Sequence, residues 1–376
     1  MKIALVRQRY TPFGGAERFV SRAMEALKEQ GAEITLITRR WELDGNLQAL
    51  TCDPFYLGSL WRDWGFSRCV RNTLARHDFD LVQSHERIPG CDVYRAGDGV
   101  HREWLAQRRR VLGPTGKLGL ALNPYHRYVL AVEKTMFGNP KLKAVICNSR
   151  MIKEEIRHWF SLPEEKLHVI YSGVDTESFH PRLKAENRQA VRGRLGIGEE
   201  TPLFLFVGSG YERKGLAPLL AALSTGPQNA QLLVVGKDKH AARFQAQAQN
   251  LGLGGRVRFL GPQKNVKPYY GAADAFVLPT LYDPFPNVAL EAMACGLPLV
   301  TSLKSGAAEL IDSNVNGYVC DALDIEALAG HLGRLQSPAH CLRLGEAARR
   351  TVEPLSLNRM GKELLDFYRA LAAATN

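Results

Sequence analysis

Short apolar runs alternate with amphipathic stretches from the start of the chain. Residues 2–6 form the first apolar run, and residues 16–30 then repeat apolar positions at helical spacing. A helix is also predicted to begin near Ser149. Further strands are predicted at 32–38, 79–84 and 143–149. Strands that alternate with helices predict a parallel sheet covered on both faces.

The same alternation begins again in the second half of the chain. Residues 171–181, with the polar and charge-rich stretch that follows to Glu200, predict a linker. Five more strand candidates are found at 203–209, 230–236, 256–261, 275–279 and 297–302. The chain is therefore predicted to be an α/β protein with two doubly wound domains, residues 1–175 and residues 176–356. The last helical stretch is predicted from Leu357 to Ala373, and residues 357–376 are a candidate for packing back on the first domain.

Composition supports a globular α/β protein, with 45% hydrophobic residues and 34 glycines among 376 residues. The apolar runs are shorter than the roughly 18 to 20 residues that span a bilayer. Arg7 interrupts the first run too early for a secretory signal, so we expect a cytoplasmic protein. Seven scattered cysteines without a paired spacing argue against a disulfide framework and against a zinc site.

The net charge of +11 is concentrated in residues 1–170, where 27 Lys and Arg face 19 Asp and Glu. Residues 99–128 contain one acid, Glu103, and apolar side chains interleaved with basic ones. The basic residues there are Arg102, Arg108, Arg109, Arg110, Lys117 and Arg127. This mixture favours an anionic membrane surface, and a solvated basic face over ordinary core residues is the alternative. No recognised nucleic-acid module accompanies the positive charge, so binding to nucleic acid is not expected.

Two loops that follow predicted strands have the features of an anion site. Gly14 and Gly15 lie between a strand and a helix, where the backbone N–H groups of a glycine turn can approach a phosphate. Arg213 and Lys214 follow the first strand of the second domain. A guanidinium and an ammonium side by side could balance the charge of a leaving diphosphate. The alternative is a loop-closing turn at the two glycines and a solvated pair that caps a turn at Arg213 and Lys214.

The stretch DPFPNVALEAMACGLP, residues 283–298, predicts a helix from about Val288 to Cys295 with Asn287 as its N-cap. The N–H groups near Asn287 and Val288 can bind a phosphate. Asp283 lies on the loop before this helix and Glu291 lies one turn inside it. The two acids can therefore face different parts of one ligand.

Residues 85–104 contain polar side chains near predicted strand ends in the first domain. Asp98, between two glycines, is a candidate for orienting or deprotonating an acceptor hydroxyl. His85 and His101 are minor candidates for the same role, because single histidines are more often structural.

Together these motifs resemble the retaining glycosyltransferases of family four, which have the GT-B fold of two Rossmann-like domains facing across a cleft. The resemblance covers nearly the whole chain, and its most specific element is the E-x7-E signature, present here as Asp283-x7-Glu291. The resemblance implies that Asp283 contacts a hydroxyl of the donor sugar and that Glu291 holds the ribose. It further implies that Arg213 and Lys214 bind the diphosphate.

Within that family, YTPFGGAERF (10–19) and IPGCDVYRAGDGVHREW (88–104) resemble the lipopolysaccharide core glycosyltransferases, notably the glucosyltransferase that acts on an inner-core heptose. This resemblance implies that Asp98 occupies the position of the proposed catalytic aspartate. It also implies that Gly14 and Gly15 close the donor site from the first domain. A lipid-embedded, phosphorylated acceptor agrees with the basic first domain and with a location on the cytoplasmic face of the inner membrane.

The expected reaction moves glucose or N-acetylglucosamine from a UDP-sugar to a heptose or another sugar of the lipopolysaccharide inner core. No protein nucleophile is evident, so the leaving diphosphate is expected to accept the proton of the acceptor hydroxyl. We expect no metal and no other cofactor, because cations and helix N-termini can stabilise the departing anion. A nucleotide-sugar epimerase shares the two-Rossmann architecture and is the alternative function.

Overall fold

A computed structural model describes residues 2–8, 24, 31–40 and 48–373 of the chain. The chain divides into two compact units. The first unit comprises residues 1–173 together with 357–376, and the second comprises residues 174–356. Each unit contains one parallel sheet, as the fold class predicted from the sequence requires.

Seven parallel strands form the sheet of the first unit, in the spatial order β3-β2-β1-β4-β5-β6-β7. Four of them were predicted, whereas β3, β5 and β7 were not. The strands are β1 (Lys2–Val6), β2 (Glu33–Thr38), β3 (Gln48–Thr51), β4 (Leu81–Ser84), β5 (Val93–Ala96), β6 (Ala144–Cys147) and β7 (Leu167–Val169).

Six helices belong to the first unit within the described residues. They are α1 (Gly58–Leu74), α2 (His101–Arg110), α3 (Pro114–Leu122), α4 (Pro124–Phe137), α5 (Arg150–Phe160) and α13 (Leu357–Ala373), and a short 3-10 helix covers Glu164–Lys166. Helix α5 begins where it was predicted, because the Ser149 hydroxyl accepts a hydrogen bond from the N–H of Ile152. The predicted helix at 16–30 lies outside the described residues except for Met24, which is buried in the core.

Six parallel strands form the sheet of the second unit, in the order β10-β9-β8-β11-β12-β13. They are β8 (Leu203–Val207), β9 (Gln231–Val235), β10 (Val257–Gly261), β11 (Ala275–Leu278), β12 (Leu299–Ser302) and β13 (Gly317–Cys320). The accompanying helices are α6 (Arg182–Leu195), α7 (Leu216–Thr225), α8 (Ala241–Asn250), α9 (Lys267–Ala272), α10 (Asn287–Ala294), α11 (Ile325–Arg334) and α12 (Pro338–Val352), with a 3-10 helix at Gly306–Leu310.

The prediction of a linker between residue 171 and Glu200 is wrong in its second part, where α6 lies. The charge-rich sequence of α6 conceals a buried face with Leu183, Val191 and Arg192. The Arg192 guanidinium donates to carbonyl oxygens and lies 2.7 Å from a carboxylate oxygen of Asp274. A fully buried arginine with these partners packs like a core residue, although its sequence position looked solvated.

Both sheets reverse their strand order at one point. In the first sheet the reversal lies between β1 and β4, and in the second it lies between β8 and β11. Loops that leave adjacent strands at such a switch point open a crevice beyond the carboxyl ends, where open α/β sheets bind ligands. The topology therefore directs attention to two pairs of loops, one in each unit.

The final helix α13 completes the core of the first sheet. Its buried side chains Met360, Leu364, Phe367 and Tyr368 pack in one cluster with strand residues such as Ile3 and Ile146. The Tyr368 hydroxyl donates to the Gln83 side-chain oxygen at 2.6 Å, inside the core. Among the described helices, none is long and apolar enough to cross a lipid bilayer.

Candidate active site

Two loops meet at the switch point of the second sheet, the first after β8 and the second after β11. The Thr280 hydroxyl and the Leu281 N–H both donate to the carbonyl oxygen of Arg213, each at 2.8 Å. These two bonds fix the first loop against the second. The side chains of both loops are therefore held at the ligand-binding edge of the sheet.

Two glycines allow close packing in the first loop, one against the backbone of Pro279 and the other against the Lys214 side chain. Gly215 has a φ of +76°, and a Cβ atom there would lie 1.8 Å from the carbonyl oxygen of Pro279. A Cβ on Gly208 would lie 3.3 Å from the aliphatic part of Lys214. Side chains at these positions would displace the loop or the lysine, so the glycines set the course of the Lys214 side chain.

Asp283 binds both cations that the sequence placed in the first loop. The Lys214 ammonium donates to Asp283 Oδ2 in a direct ion pair, and both side chains are about nine-tenths buried, with exposures of 10% and 8%. The Arg213 Nη1 lies 3.4 Å from the same oxygen and 3.2 Å from the carbonyl oxygen of Tyr282. Arg213 remains 39% exposed. Its guanidinium is therefore the cation of this cluster that a ligand can reach most easily.

Burial and charge act in opposite directions on the Asp283 carboxyl. Burial alone would raise its pKa, but the charges of Lys214 and Arg213 outweigh it and hold the pKa below the ordinary value. Burial also lowers the pKa of Lys214, although the adjacent carboxylate partly compensates. Asp283 is thus ionised at neutral pH and paired with a buried ammonium.

Helix α10 begins at Asn287, and Pro286 occupies the cap position. The prediction of Asn287 as N-cap is therefore wrong by one residue, because the Asn287 backbone is already helical. No side chain among the described residues caps this helix, and the Ala289 N–H bonds to the Pro286 carbonyl oxygen at 3.0 Å. The N–H groups at the start of the helix, including those of Asn287 and Val288, point out of its N-terminal end. That end favours an anion such as a phosphate.

Glu291 lies one turn inside the same helix and is 6% exposed. The Tyr270 hydroxyl donates to Glu291 Oε2 at 3.1 Å and lies 3.3 Å from the Val288 carbonyl oxygen. This bond orients the carboxylate and helps to offset the cost of burying it. The sequence did not identify Tyr270, because nothing in the run from Lys267 to Ala272 distinguishes it from an ordinary core aromatic residue.

Asp98 lies in the first unit, directly after β5, and its side chain is 65% exposed. Its nearest charged partner among the described contacts is Arg87, with Nη1 3.8 Å from Asp98 Oδ2. Arg87 is itself held by the buried Glu133, at 2.8 Å, and donates to the Gly99 carbonyl oxygen at 3.0 Å. Asp98 is therefore open to solvent on a loop whose base is fixed. Glu133 was missed, although an acid within the apolar stripe of α4 is a sequence signal for a buried charge.

The two minor histidine candidates are held in the neutral form. His85 is 3% exposed, and burial, with the charges of Arg95 and Arg7, lowers its pKa well below the usual value. His101 lies 3.0 Å from His126, ring nitrogen to ring nitrogen, and burial is the main cause that lowers its pKa to about 3. Both rings are hydrogen bonded within the fold, which is typical of structural histidines.

The structure brings Arg213, Lys214 and Asp283 into direct contact, and the chain continues from Asp283 into the helix with Val288 and Glu291. Asp98 belongs to the other unit. Gly14 and Gly15 lie outside the described residues. Within the described ranges, no group of three or more His, Cys, Asp or Glu side chains is arranged to hold a metal ion.

Comparisons with known proteins agree with the architecture. Residues 13–178 match the family model for glycosyltransferase family 4, and residues 187–351 match the model for glycosyl transferases group 1. The uncharacterised glycosyltransferase MJ1607 of Methanocaldococcus jannaschii is 31% identical, over 98% of each chain. The lipopolysaccharide glucosyltransferase WaaG of Escherichia coli is 28% identical, over 87% of each chain.

A crystal structure of WaaG, described as a glycosyltransferase involved in lipopolysaccharide biosynthesis, matches with a TM-score of 0.83 and 25% identity. The match covers 97% of this chain and 99% of that one. The comparisons confirm the predicted fold and family, and they give no support to the epimerase alternative. The chain therefore belongs to the group 1/family 4 glycosyltransferases and has the GT-B fold.

Proposed function

We propose that this glycosyltransferase moves a hexose from a UDP-sugar to a heptose or another sugar of the lipopolysaccharide inner core, with retention of anomeric configuration. The observation that carries the proposal is the cluster of Lys214, Arg213 and Asp283 at the switch point of the second sheet, followed by the start of α10. Cations and a helix N-terminus together suit a diphosphate.

In the proposed reaction the bond between the sugar C1 and the diphosphate oxygen breaks while the acceptor oxygen bonds to C1 on the same face. The acceptor proton passes to an oxygen of the leaving diphosphate, and Asp98 orients the acceptor hydroxyl. Arg213 and Lys214 stabilise the departing anion, and Asp283 contacts a sugar hydroxyl. Electrostatic stabilisation of this kind requires no metal ion.

A lipid-linked acceptor is supported by the surface of the first unit. The described residues have eleven exposed large hydrophobic side chains, and eight of them lie between residues 55 and 122. We call these eight the apolar surface: Phe55, Leu57, Leu60, Trp61, Trp64, Val111, Leu118 and Leu122. Three of them belong to the stretch 99–128, whose basic and apolar composition favours an anionic membrane surface.

The other five residues of the apolar surface come from the start of α1 and the loop before it, which the sequence did not indicate. The Tyr125 hydroxyl, at the start of α4, donates to Asp63 of α1 at 3.0 Å. This bond places the first turns of α1 beside the end of α3, where Leu122 is 64% exposed. The Arg68 guanidinium lies 5.5 Å from the centre of the Trp64 ring and adds positive charge at this face. Exposed aromatic side chains with nearby arginines suit the headgroup region of an anionic bilayer.

A transfer assay with a panel of nucleotide sugars tests the proposal. The acceptor is an inner-core oligosaccharide that ends in heptose, the product is detected by mass spectrometry, and its anomeric configuration is read by NMR. We expect transfer from UDP-glucose first and UDP-N-acetylglucosamine second, with retained configuration and with an unchanged rate in EDTA.

Glu291→Ala is expected to reduce transfer by at least about a hundredfold, because a buried, oriented donor contact is lost. Glu200→Ala, at an exposed position of the same unit, is the control and should retain wild-type transfer. Wild-type transfer by Glu291→Ala would contradict the donor site, and inversion of the anomeric centre would contradict the proposed mechanism.

A further inference from the structure

The switch point of the first sheet carries a carboxylate, Glu86, that the proposed function does not use. Glu86 follows β4, and Gln8 follows β1, the strand across the reversal. The Gln8 N–H donates to Glu86 Oε1 at 3.0 Å, and the His85 N–H donates to the Val6 carbonyl oxygen at 3.0 Å. These bonds join the segments that leave the two strands at the reversal, the place where an open parallel sheet binds its ligand.

The backbone around Glu86 is fixed on both sides. The Ser84 hydroxyl lies 2.6 Å from the Glu86 carbonyl oxygen, and the Ile88 N–H bonds to that same oxygen at 2.8 Å. The side chain is 19% exposed, so it is mostly buried and yet reaches solvent. A carboxylate on a hydrogen-bonded turn at the switch point is positioned before a ligand arrives.

The same arrangement occurs in the second sheet. Asp283 follows β11 as Glu86 follows β4, and each carboxylate contacts a group on the loop after the strand across the reversal. The surroundings differ in charge. Asp283 is directly paired with Lys214, whereas the ion-pair partner of Glu86 within the described ranges is Arg7, at 3.7 Å. Both contacts of the Glu86 carboxylate go to Oε1, so as far as the described residues are concerned Oε2 is the oxygen that a further hydrogen-bond donor can reach.

We propose that Glu86 binds a hydroxyl group of the acceptor saccharide, as its ionised carboxylate, at the switch point of the first sheet. The proposal rests on the proposed function, because it assigns the acceptor to the first unit. A sugar hydroxyl donates one hydrogen bond, and a carboxylate oxygen accepts it more strongly than a neutral group does. Glu86 thus selects for a polyol acceptor and sets its position.

The electrostatics of the site make this binding sensitive to pH. Burial raises the pKa of Glu86 to about 7; the charge of Arg7 opposes this rise, while Asp98 after β5 and Asp63 of α1 add to it. Because the carboxyl gains its proton as the pH falls through about 7, the acceptor should bind more weakly at pH 6 than at pH 8. Neighbouring His85 and His101 do not titrate in this range, since their pKa values are lowered.

The variant Glu86→Gln tests acceptor binding without removing the hydrogen bond that holds the turn. Its side-chain oxygen can still accept the hydrogen bond from the Gln8 N–H, so the turn is preserved while the charge is removed. The matched control is Glu154→Gln, at a side chain that is 54% exposed on α5. The acceptor is a heptose disaccharide without phosphate, which does not itself titrate between pH 6 and pH 8.

We expect Glu86→Gln to raise the KM for the acceptor about tenfold and to leave the KM for the donor within about twofold. The wild-type acceptor KM should rise as the pH falls from 8 to 6, and that of Glu86→Gln should be flat. Glu154→Gln should reproduce the wild-type profile. If Glu86 only maintained the fold, the substitution would change kcat or stability, and the acceptor KM would keep its dependence on pH.

An active Glu86→Gln with wild-type acceptor KM and pH profile would overturn the inference and leave the proposed function standing. If the variant does not fold, the wild-type profile decides, because an acceptor KM that is constant between pH 6 and pH 8 also overturns the inference. Failure of the wild-type chain to transfer any sugar would overturn the proposed function and this inference with it.

Discussion

The ion pair between Lys214 and Asp283 is buried, and its two members are not equivalent. Removing Lys214 leaves Asp283 with the nearby Arg213, whereas removing the charge of Asp283 leaves a buried ammonium without its partner. An unpaired buried charge costs more than a lost contact. The pair therefore links the proposed catalytic chemistry to the stability of the second unit.

We predict that Asp283→Asn destabilises the protein by about 3 to 5 kcal/mol, and that Lys214→Met destabilises it by less than half as much. Both should lose transfer activity. Urea unfolding at pH 7 measures the first effect, and the transfer assay measures the second. Equal loss of stability in the two variants would contradict the asymmetry.

The pH dependence of the stability that this ion pair contributes follows from the direction in which the pKa of Asp283 is shifted. The pKa of Asp283 is lowered in the folded chain, so the stabilisation is complete above the ordinary value of 3.8 and is lost as the pH falls through the lowered pKa. A change in activity near pH 7 therefore has another origin, and the pKa of Glu86, which burial raises to about 7, lies in that range.

Single residues of the site could be predicted to the extent that they follow recognisable strands. Lys214 and Asp283 each lie a few residues after an apolar run, and the spacing between Asp283 and Glu291 matches the family signature. Tyr270 could not be predicted, because its importance depends on a hydrogen bond to Glu291 across 21 positions of sequence. Glu86 follows an apolar run as well, but its burial depends on Arg7 and Gln8, which come from a distant strand end.

At the scale of elements, the segments with a clear apolar pattern were predicted, and four of the shorter strands were not. The final helix matches its predicted bounds, Leu357–Ala373, because five turns repeat the apolar spacing clearly. Strands β3, β5, β7 and β13 were not predicted, and each has four residues or fewer with a polar residue or a glycine in the short pattern. Strands β6 and β12 are equally short, but the apolar runs around them identify them. Helix α6 was hidden because a buried arginine replaces an apolar residue on its inner face.

The packing of the final helix gives an element-scale prediction. Leu364 is fully buried in the core of the first sheet, so Leu364→Ala should lower the free energy of unfolding by about 2 to 5 kcal/mol. Lys362→Ala, at an exposed position of the same helix, should change it by less than about 0.5 kcal/mol. Thermal and urea unfolding measure both, and a stable Leu364→Ala would show that the helix is not needed for the core.

At the scale of the whole molecule, the distribution of charge and exposed apolar area distinguishes the two units. The second unit has only three of the eleven exposed large hydrophobic side chains found among the described residues. The first half of the chain also has most of the positive charge. We therefore expect an anionic bilayer to bind the first unit rather than the second. This expectation agrees with the proposal that the first unit holds a lipid-linked acceptor.

We predict that the protein sediments with vesicles containing phosphatidylglycerol and not with vesicles of phosphatidylcholine alone, and that 0.5 M salt weakens the binding. Replacing Trp61 and Trp64 together by Ala should weaken it about tenfold, because two half-exposed aromatic side chains no longer insert. Leu342→Ala, which removes an exposed side chain of the second unit, is the control. Equal binding to both kinds of vesicle would contradict the proposed surface.

The return of the final helix to the first sheet also sets the order in which the chain can fold during its synthesis. The strands of the first sheet leave the ribosome early, but residues 357–373, which cover part of their core, are made only after the whole second unit. At about 5 to 20 residues per second, this delay is roughly ten to forty seconds. The second unit, which is continuous in sequence, can therefore finish folding first, while apolar strand residues of the first unit still lack the helix that covers them.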